Sequence, residues 1–194
     1  VPSNPMYNAN ITKYPYSVKK AKELMKNKTI DATILVSNNP KEIKMAELIK
    51  IDLAKIGINL TVKSVDAKSR DNDVKNGNYE FALLKYGSMG GDADYVRNVY
   101  LSTAKSGIQR IQGYKNKELD DVLMAQLLEK DTKKRKELLH KAQEIIADEL
   151  PMLPLYSEDF IYVYRKGDYS NYRKRFDNPV PLFTKLSFLI KEKK

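Results

Sequence analysis

Two aspartates, Asp92 and Asp94, stand two positions apart in the stretch from Asn78 to Leu101, NYEFALLKYGSMGGDADYVRNVYL. Tyr86, Gly87, Ser88 and Met89 precede them, Gly90 and Gly91 lead into them, and Tyr95 follows. Carboxylates this close can act as a general acid and base, hold a divalent cation, or pair with a cationic group of a ligand. The first two readings lack companions. An EF-hand loop needs more oxygens in a fixed frame and a closing Glu. Gly87–Gly91 is not followed by the Gly-Lys-Ser/Thr of a phosphate loop, and it departs from the spacing of G-x-S-x-G. The chain has no cysteine, which excludes a cysteine nucleophile, a cysteine zinc site and a disulfide scaffold. Its one histidine, His140, lies in a lysine-rich helical stretch and reads as a solvated helix residue, which argues against a catalytic triad or a histidine-rich metal site. No catalytic residue, no resident metal and no cofactor is expected. An aspartate beside tyrosines and glycines suits binding, since it can pair with an α-amino group while aromatic faces and exposed backbone hold the remainder. The competing reading is structural, with Asp94 as the N-cap of a short helix after an ordinary strand-to-helix connection. The residues alone leave both open.

The elements that must position this loop read as alternating strands and helices. Ser17 precedes Val18, Ala21, Leu24 and Met25 at helical spacing, and predicts a capped helix ending near Asn27. Ile30–Val36 predicts a strand. Ser37-Asn38-Asn39-Pro40 starts a long helix to Ile56 with Ile43, Ala46, Ile49, Ile51, Leu53 and Ile56 on its apolar face, and Gly57 suits its end. Ile58–Val65 alternates as a second strand. Strand, crossover helix and strand make a βαβ unit with a parallel sheet. Residues 66–77 are polar and suit a short helix, after which Phe81–Leu84 is the third strand, buried and running straight into the acidic loop. An α/β sheet presents ligands at the carboxyl edge of its strands in this way. Farther on, Leu119, Val122, Leu123, Gln126 and Leu127 mark the buried side of a helix beginning at Asn116. Asp131 caps another to about Leu150, with Leu138, Leu139, Ala142, Ile145 and Ile146 inward. The first 16 residues form an extended lead-in, docked through Tyr7, Tyr14 and Tyr16. Phe160–Tyr164 and Leu182–Ile190 read as strands.

With 194 residues, 42% hydrophobic and 31% charged, the chain is globular and of one domain or slightly more. No apolar run reaches the roughly 20 residues of a membrane-spanning helix. The net charge of +10 is spread over helix faces. A nucleic-acid-binding domain on the basic, aromatic cluster of residues 165–176 is a remote alternative, and a carboxylate enzyme on Asp92 and Asp94 a weaker one. No nucleic-acid partner is expected.

Several segments together resemble the extracellular solute-binding proteins of ABC importers, the peptide/nickel family known as family 5. Tyr16-Ser17-Val18-Lys19-Lys20-Ala21-Lys22-Glu23-Leu24 is similar to that family's Y-D-P-x-K-A-K-x-L-L helix, and Leu53–Leu60 to L-x-x-I-G-I-x-V. Gly77–Ala82 is similar to G-x-Y-D-x-A, Gly91–Tyr95 to the glycine/aspartate cleft loop, Gly113–Asp120 to G-Y-x-N-P-E-x-D, and Arg135 through Tyr156 to R-x-x-L leading to P-x-x-P-L-Y. The resemblance implies a periplasmic-binding-protein-like α/β lobe of class II type, with a mixed central sheet flanked by helices. Residues 1–194 would be a single C-terminal lobe, with 182–190 returning toward a missing N-terminal lobe. It implies a substrate-binding component that captures a peptide-like solute between lobes and delivers it to a membrane permease, located in the periplasm or on the surface as a lipoprotein. A nickel complex or another small solute is the alternative. Asp94 is the first choice for the ligand's α-amino group, because Ala93-Asp94-Tyr95 matches the family's Ala-Asp-Tyr, and Asp92 is the second. Tyr95 and Tyr86 through Met89 would add ring and backbone contacts. The family's Gly-Trp before the loop is here Tyr86-Gly87, and both its strand arginine, which would fall near Ser88, and the loop histidine of some nickel binders are absent.

Overall fold

Strand formation begins with β-branched runs that can be buried on both sides. In the computed structural model, β1 (Ile30–Ser37) and β2 (Ile58–Val65) pair in parallel over their full length, from Ile30 beside Ile58 to Ser37 beside Val65. The structure describes residues 4–86, 92–104 and 111–157, with Tyr169–Ser170 and Ile190–Lys191. β3 (Phe81–Ala82) joins the other side of β1, also in parallel, so the order is β2-β1-β3. The expected mixed sheet is parallel in these strands. The antiparallel pairing among the described residues is a separate ribbon of β4 (Tyr169–Ser170) and β5 (Ile190–Lys191). β5 covers the last residue of the strand expected over 182–190; the remainder of that strand, Phe160–Tyr164 and most of the 165–176 cluster lie outside the described residues.

The helices start where side chains can accept otherwise unpaired backbone N–H groups. Ser17 caps α1 (Val18–Met25), Asn39 caps α2 (Pro40–Ala54), and Asp66 caps α3 (Ala67–Asn76). After the short α4 (Tyr95–Tyr100), Asn116 caps α5 (Lys117–Leu128) and Asp131 caps α6 (Thr132–Glu149), the last accepting from Lys133 and Lys134 N–H, each at 2.9 Å. α2 crosses one face of the sheet and buries Ala46 against Ile34, Val36 and Leu60. α3 packs against β1 too, and Leu35, on the opposite face from Ile34, is also buried. Strict alternation is therefore lost in β1, as expected of a parallel strand covered on both sides.

A second apolar cluster joins α4, α5 and α6 through Val99, Tyr100, Leu101, Leu119, Val122, Leu123 and Ala142. Tyr100 meets Tyr114 edge to face, centroids 6.5 Å apart. Glu149, at the unfavourable end of the α6 dipole, accepts hydrogen bonds from Tyr114 Oη at 2.5 Å and Asn116 Nδ2 at 2.7 Å, and so ties the end of α6 to the start of α5.

Several expectations change. The third strand is shorter than Phe81–Leu84, and Phe81 is half exposed. Ile51 and Leu127 point to solvent, and α1 buries no residue. The lead-in docks mainly through Asn8, with Tyr7 half-buried. Asn8 is buried and donates from its backbone to Gln143 Oε1 at 3.0 Å and from Nδ2 to Glu144 Oε1 at 3.0 Å. Tyr14 and Tyr16 are exposed, although Tyr14 Oη reaches the Asp148 carbonyl. His140 is half-buried, and its Nε2 is shielded with no hydrogen-bond partner among the described residues, so it is not the solvated side chain expected.

Gly57 sets the register of the central pair. Its φ is +89°, a Cβ there would sit 2.9 Å from the Lys28 carbonyl oxygen, and its own carbonyl accepts the Ile30 N–H at 3.0 Å. Replacing Gly57 by alanine is expected to cost about 1–3 kcal/mol through backbone strain, a fall of roughly 2–4 °C per kcal/mol in a circular-dichroism melt. An unchanged midpoint would mean that the Lys28 carbonyl moves aside freely.

Candidate functional site

The chain leaves β1 on the β2 side and returns through α3 to place β3 on the other side, so the carboxyl ends of β1 and β3 form a topological switch point, where open α/β sheets bind ligands. A charged clamp shapes this edge. Glu42, in the first turn of α2, accepts the Ser37 N–H at 2.9 Å and Arg70 Nη1 at 3.1 Å. The same Nη1 reaches the Leu83 carbonyl at 3.4 Å, while Arg70 Nε donates to Asp71 at 2.9 Å. The exits of β1 and β3 are thereby fixed to each other. Beyond β3 the chain continues to Tyr86, which packs on the helical cluster. Burial pushes the Tyr86 hydroxyl up to about 12, helped by the neighbouring Tyr79 and Tyr95, so it stays a donor at neutral pH. Gly87, Ser88 and Met89 lie outside the described residues.

At Asp92 the chain enters a closed ring of hydrogen bonds. Asp92 Oδ1 accepts the Asp94 N–H at 2.7 Å and Arg135 Nη2 at 2.7 Å. Arg135 Nε donates to Gln126 Oε1 at 3.2 Å, and Gln126 Nε2 donates to Asp94 Oδ1 at 2.6 Å. Arg97 closes on Asp94 from the other side with two bonds, Nε to Oδ1 at 2.9 Å and Nη2 to Oδ2 at 2.8 Å. The bidentate geometry and the ionised partners make these strong bonds.

Asp94 stands at the N-cap position of α4, but its side chain caps nothing and its backbone is already helical, φ −60° and ψ −17°. Asp92 takes the Asp94 N–H instead. Both carboxyls are held below the ordinary value of 3.8: Asp92 by its bonds to Arg135 and the Asp94 N–H, and Asp94 by Arg97 and then Gln126, against the opposing effect of burial. The two differ in access. The Asp94 side chain keeps 23% of its surface and Asp92 keeps 63%. Tyr95 begins α4 and, like Tyr86, rests against the helical cluster.

Three residues of this site were not among the expected ones: Arg97, Gln126 and Arg135. Each left a signal. Arg97 follows Asp94 by three, a helical pair spacing. Gln126 is a polar residue on the apolar side of α5, and a buried amide demands partners. Arg135 opens the segment that resembles R-x-x-L. Among the described residues no three histidine or acidic side chains converge as a metal site.

Residues 1–108 match the family model of bacterial extracellular solute-binding proteins, family 5 Middle. The peptide transport periplasmic protein SapA of Salmonella typhimurium is 29% identical over 167 residues, which cover 81% of this chain and 30% of that protein. Heme-binding protein A of Haemophilus influenzae is 27% identical over 77% of this chain and 29% of its own length. The periplasmic binding protein DppA of Helicobacter pylori, solved with the peptide STSA, superposes with a TM-score of 0.70 at 32% identity, covering 78% of this chain and 31% of that one. The chain thus spans about a third of the length of these relatives.

Asp94→Asn replaces an oxygen facing Arg97 or Gln126 with a second donor. It is expected to cost about 2 kcal/mol, read as a lower melting midpoint at pH 7. Because the folded carboxyl titrates below 3.8, this stabilisation is complete above that pH and is lost as pH falls through the folded value. The gap between wild type and variant should therefore close on acidification; a constant gap down to about pH 3 would assign the loss to packing rather than charge.

Proposed function

This chain belongs to the bacterial extracellular solute-binding proteins of family 5, and on that premise we propose that it is one lobe of the substrate-binding component of an ABC importer. In this reading it takes a peptide-like solute into a cleft shared with a companion lobe and delivers it to a membrane permease, outside the cytoplasm. The single observation that carries the reading is the likeness to the peptide-bound DppA, which combines the highest identity quoted above with the same fold over most of this chain. The capture step is hinge closure of two lobes around the solute. The carboxyl edge of β1 and β3, with Tyr86 and Asp92, is the ligand-facing side of this lobe.

Of the two acids, we assign the cationic end of the solute to Asp92. Asp94 Oδ1 already receives Arg97 and Gln126, and its Oδ2 receives Arg97. Asp92 Oδ2 meets Arg135 Nη1 at 3.5 Å, a distance too long for a strong bond, and the side chain is mostly exposed. An incoming ammonium gains more from an oxygen with spare lone pairs than from one that must first lose a bidentate arginine.

A thermal-shift titration of the two-lobe protein with di- to pentapeptides tests this. A peptide at a hundred times its dissociation constant adds about 2.7 kcal/mol of stability. The shift should vanish in Asp92→Asn and persist in Asp94→Asn, whose starting midpoint is lower. Loss in Asp94→Asn alone would return the anchor to Asp94. A shift with heme or a nickel–histidine complex, and none with peptides, would overturn the peptide class while leaving the family in place.

A further inference from the structure

Gln126 is fully buried on a helix face whose other inward residues, Leu119, Val122 and Leu123, are apolar. A leucine would fill that place without the desolvation cost of an amide. The amide is instead used on every side: Nε2 donates to Asp94 Oδ1 at 2.6 Å and to the Leu123 carbonyl at 3.2 Å, and Oε1 accepts Arg135 Nε at 3.2 Å. Its orientation is dictated by its neighbours, since a carboxylate must face the NH₂ and a guanidinium must face the oxygen. Arg135 in turn spans Gln126 and Asp92, from the first turn of α6 to the segment entering α4. The Asp94 N–H closes the ring on Asp92 Oδ1. In this closed circuit Asp92 Oδ1 is held by two donors at 2.7 Å, while Oδ2 has only Arg135 Nη1 at 3.5 Å.

Building on the peptide-receptor reading above, we propose that Gln126 and Arg135 are positioning residues for ligand capture. They touch no solute. They fix which oxygen of Asp92 faces the cleft, and they set that orientation from the α5–α6 hairpin, so the hairpin's register governs affinity for the solute's cationic end. A ring holds an orientation better than a single ion pair, because a carboxylate with one exposed partner rotates at little cost. Pre-orienting the group before the solute arrives removes an ordering cost from binding.

The test compares Gln126→Leu, Arg135→Lys and a distant control, Leu60→Ala in the sheet core, by calorimetric titration of the two-lobe protein with the best-shifting peptide. Gln126→Leu should keep a melting midpoint close to wild type and lose affinity tenfold or more. Arg135→Lys keeps a positive charge beside Asp92 but has only one donor head to share between Asp92 and Gln126, so it should fall between wild type and Gln126→Leu. Leu60→Ala should melt lower and bind as wild type does. Wild-type affinity in Gln126→Leu, or affinity that follows the melting midpoint across all three variants, would overturn the proposal. A second readout needs no ligand: hydrogen exchange at the Asp94 amide should quicken at least tenfold in Gln126→Leu, and unchanged protection would overturn the ring as an orienting device. Should wild type bind no peptide while the Asp94 amide behaves as stated, the receptor reading fails and the ring stands.

Discussion

Pairing of β1 on both its edges is the constraint from which the lobe's geometry follows. With β2 on one side and β3 on the other, both parallel, each connection must cross a face of the sheet. α2 and α3 are those connections. Two consequences follow at once. The centre of β1 is buried on both faces, and the connections leave β1 and reach β3 on opposite sides, which makes their carboxyl ends a switch point. Gly57 keeps the β1–β2 register, because only a glycine brings the turn before β2 so close to the Lys28 carbonyl. The Glu42–Arg70 pair then ties the ends of β1 and β3 together through the Ser37 N–H and the Leu83 carbonyl.

The second half of the described lobe is organised by polar demand as much as by apolar packing. α5 and α6 bury leucines against α4, which fixes their mutual placement. Within that apolar seam sits one amide, Gln126, and it brings Asp94 and Arg135 with it because a buried amide without partners is costly. Two acids and two arginines end up interleaved, so the segment entering α4 is electrically balanced locally although the whole chain carries +10. The lysines that give this net charge lie mainly along exposed helix faces, where they say little about the solute.

The hydrogen-bonded ring around Gln126 draws its parts from elements that apolar packing already holds. Arg135 and Gln126 stand on α6 and α5, so the side chains that hold Asp92 and Asp94 are placed by helices rather than by the segment they hold.

Local chemistry was enough to read the elements from the chain. Ser17, Asn39, Asp66, Asn116 and Asp131 sit where every described helix but α4 must satisfy its first N–H groups, and the order of strands and helices with their parallel pairing followed from apolar spacing. The family resemblance pointed to the loop after β3. The roles within that loop were not legible there. Asp94 was the first choice because Ala93-Asp94-Tyr95 matches the family's Ala-Asp-Tyr, a match that says nothing of its partners, which include Gln126, 32 residues away. Asp92 gains Arg135 from 43 residues away. The lead-in was likewise assigned to tyrosines; Tyr14 does reach α6, but the buried contact is Asn8 with Gln143, over 135 residues. Caps, turns and periodicity are short-range and survive in the sequence pattern. Which carboxylate is occupied and which is open depends on donors that only the packing of α4, α5 and α6 brings within 3 Å or so.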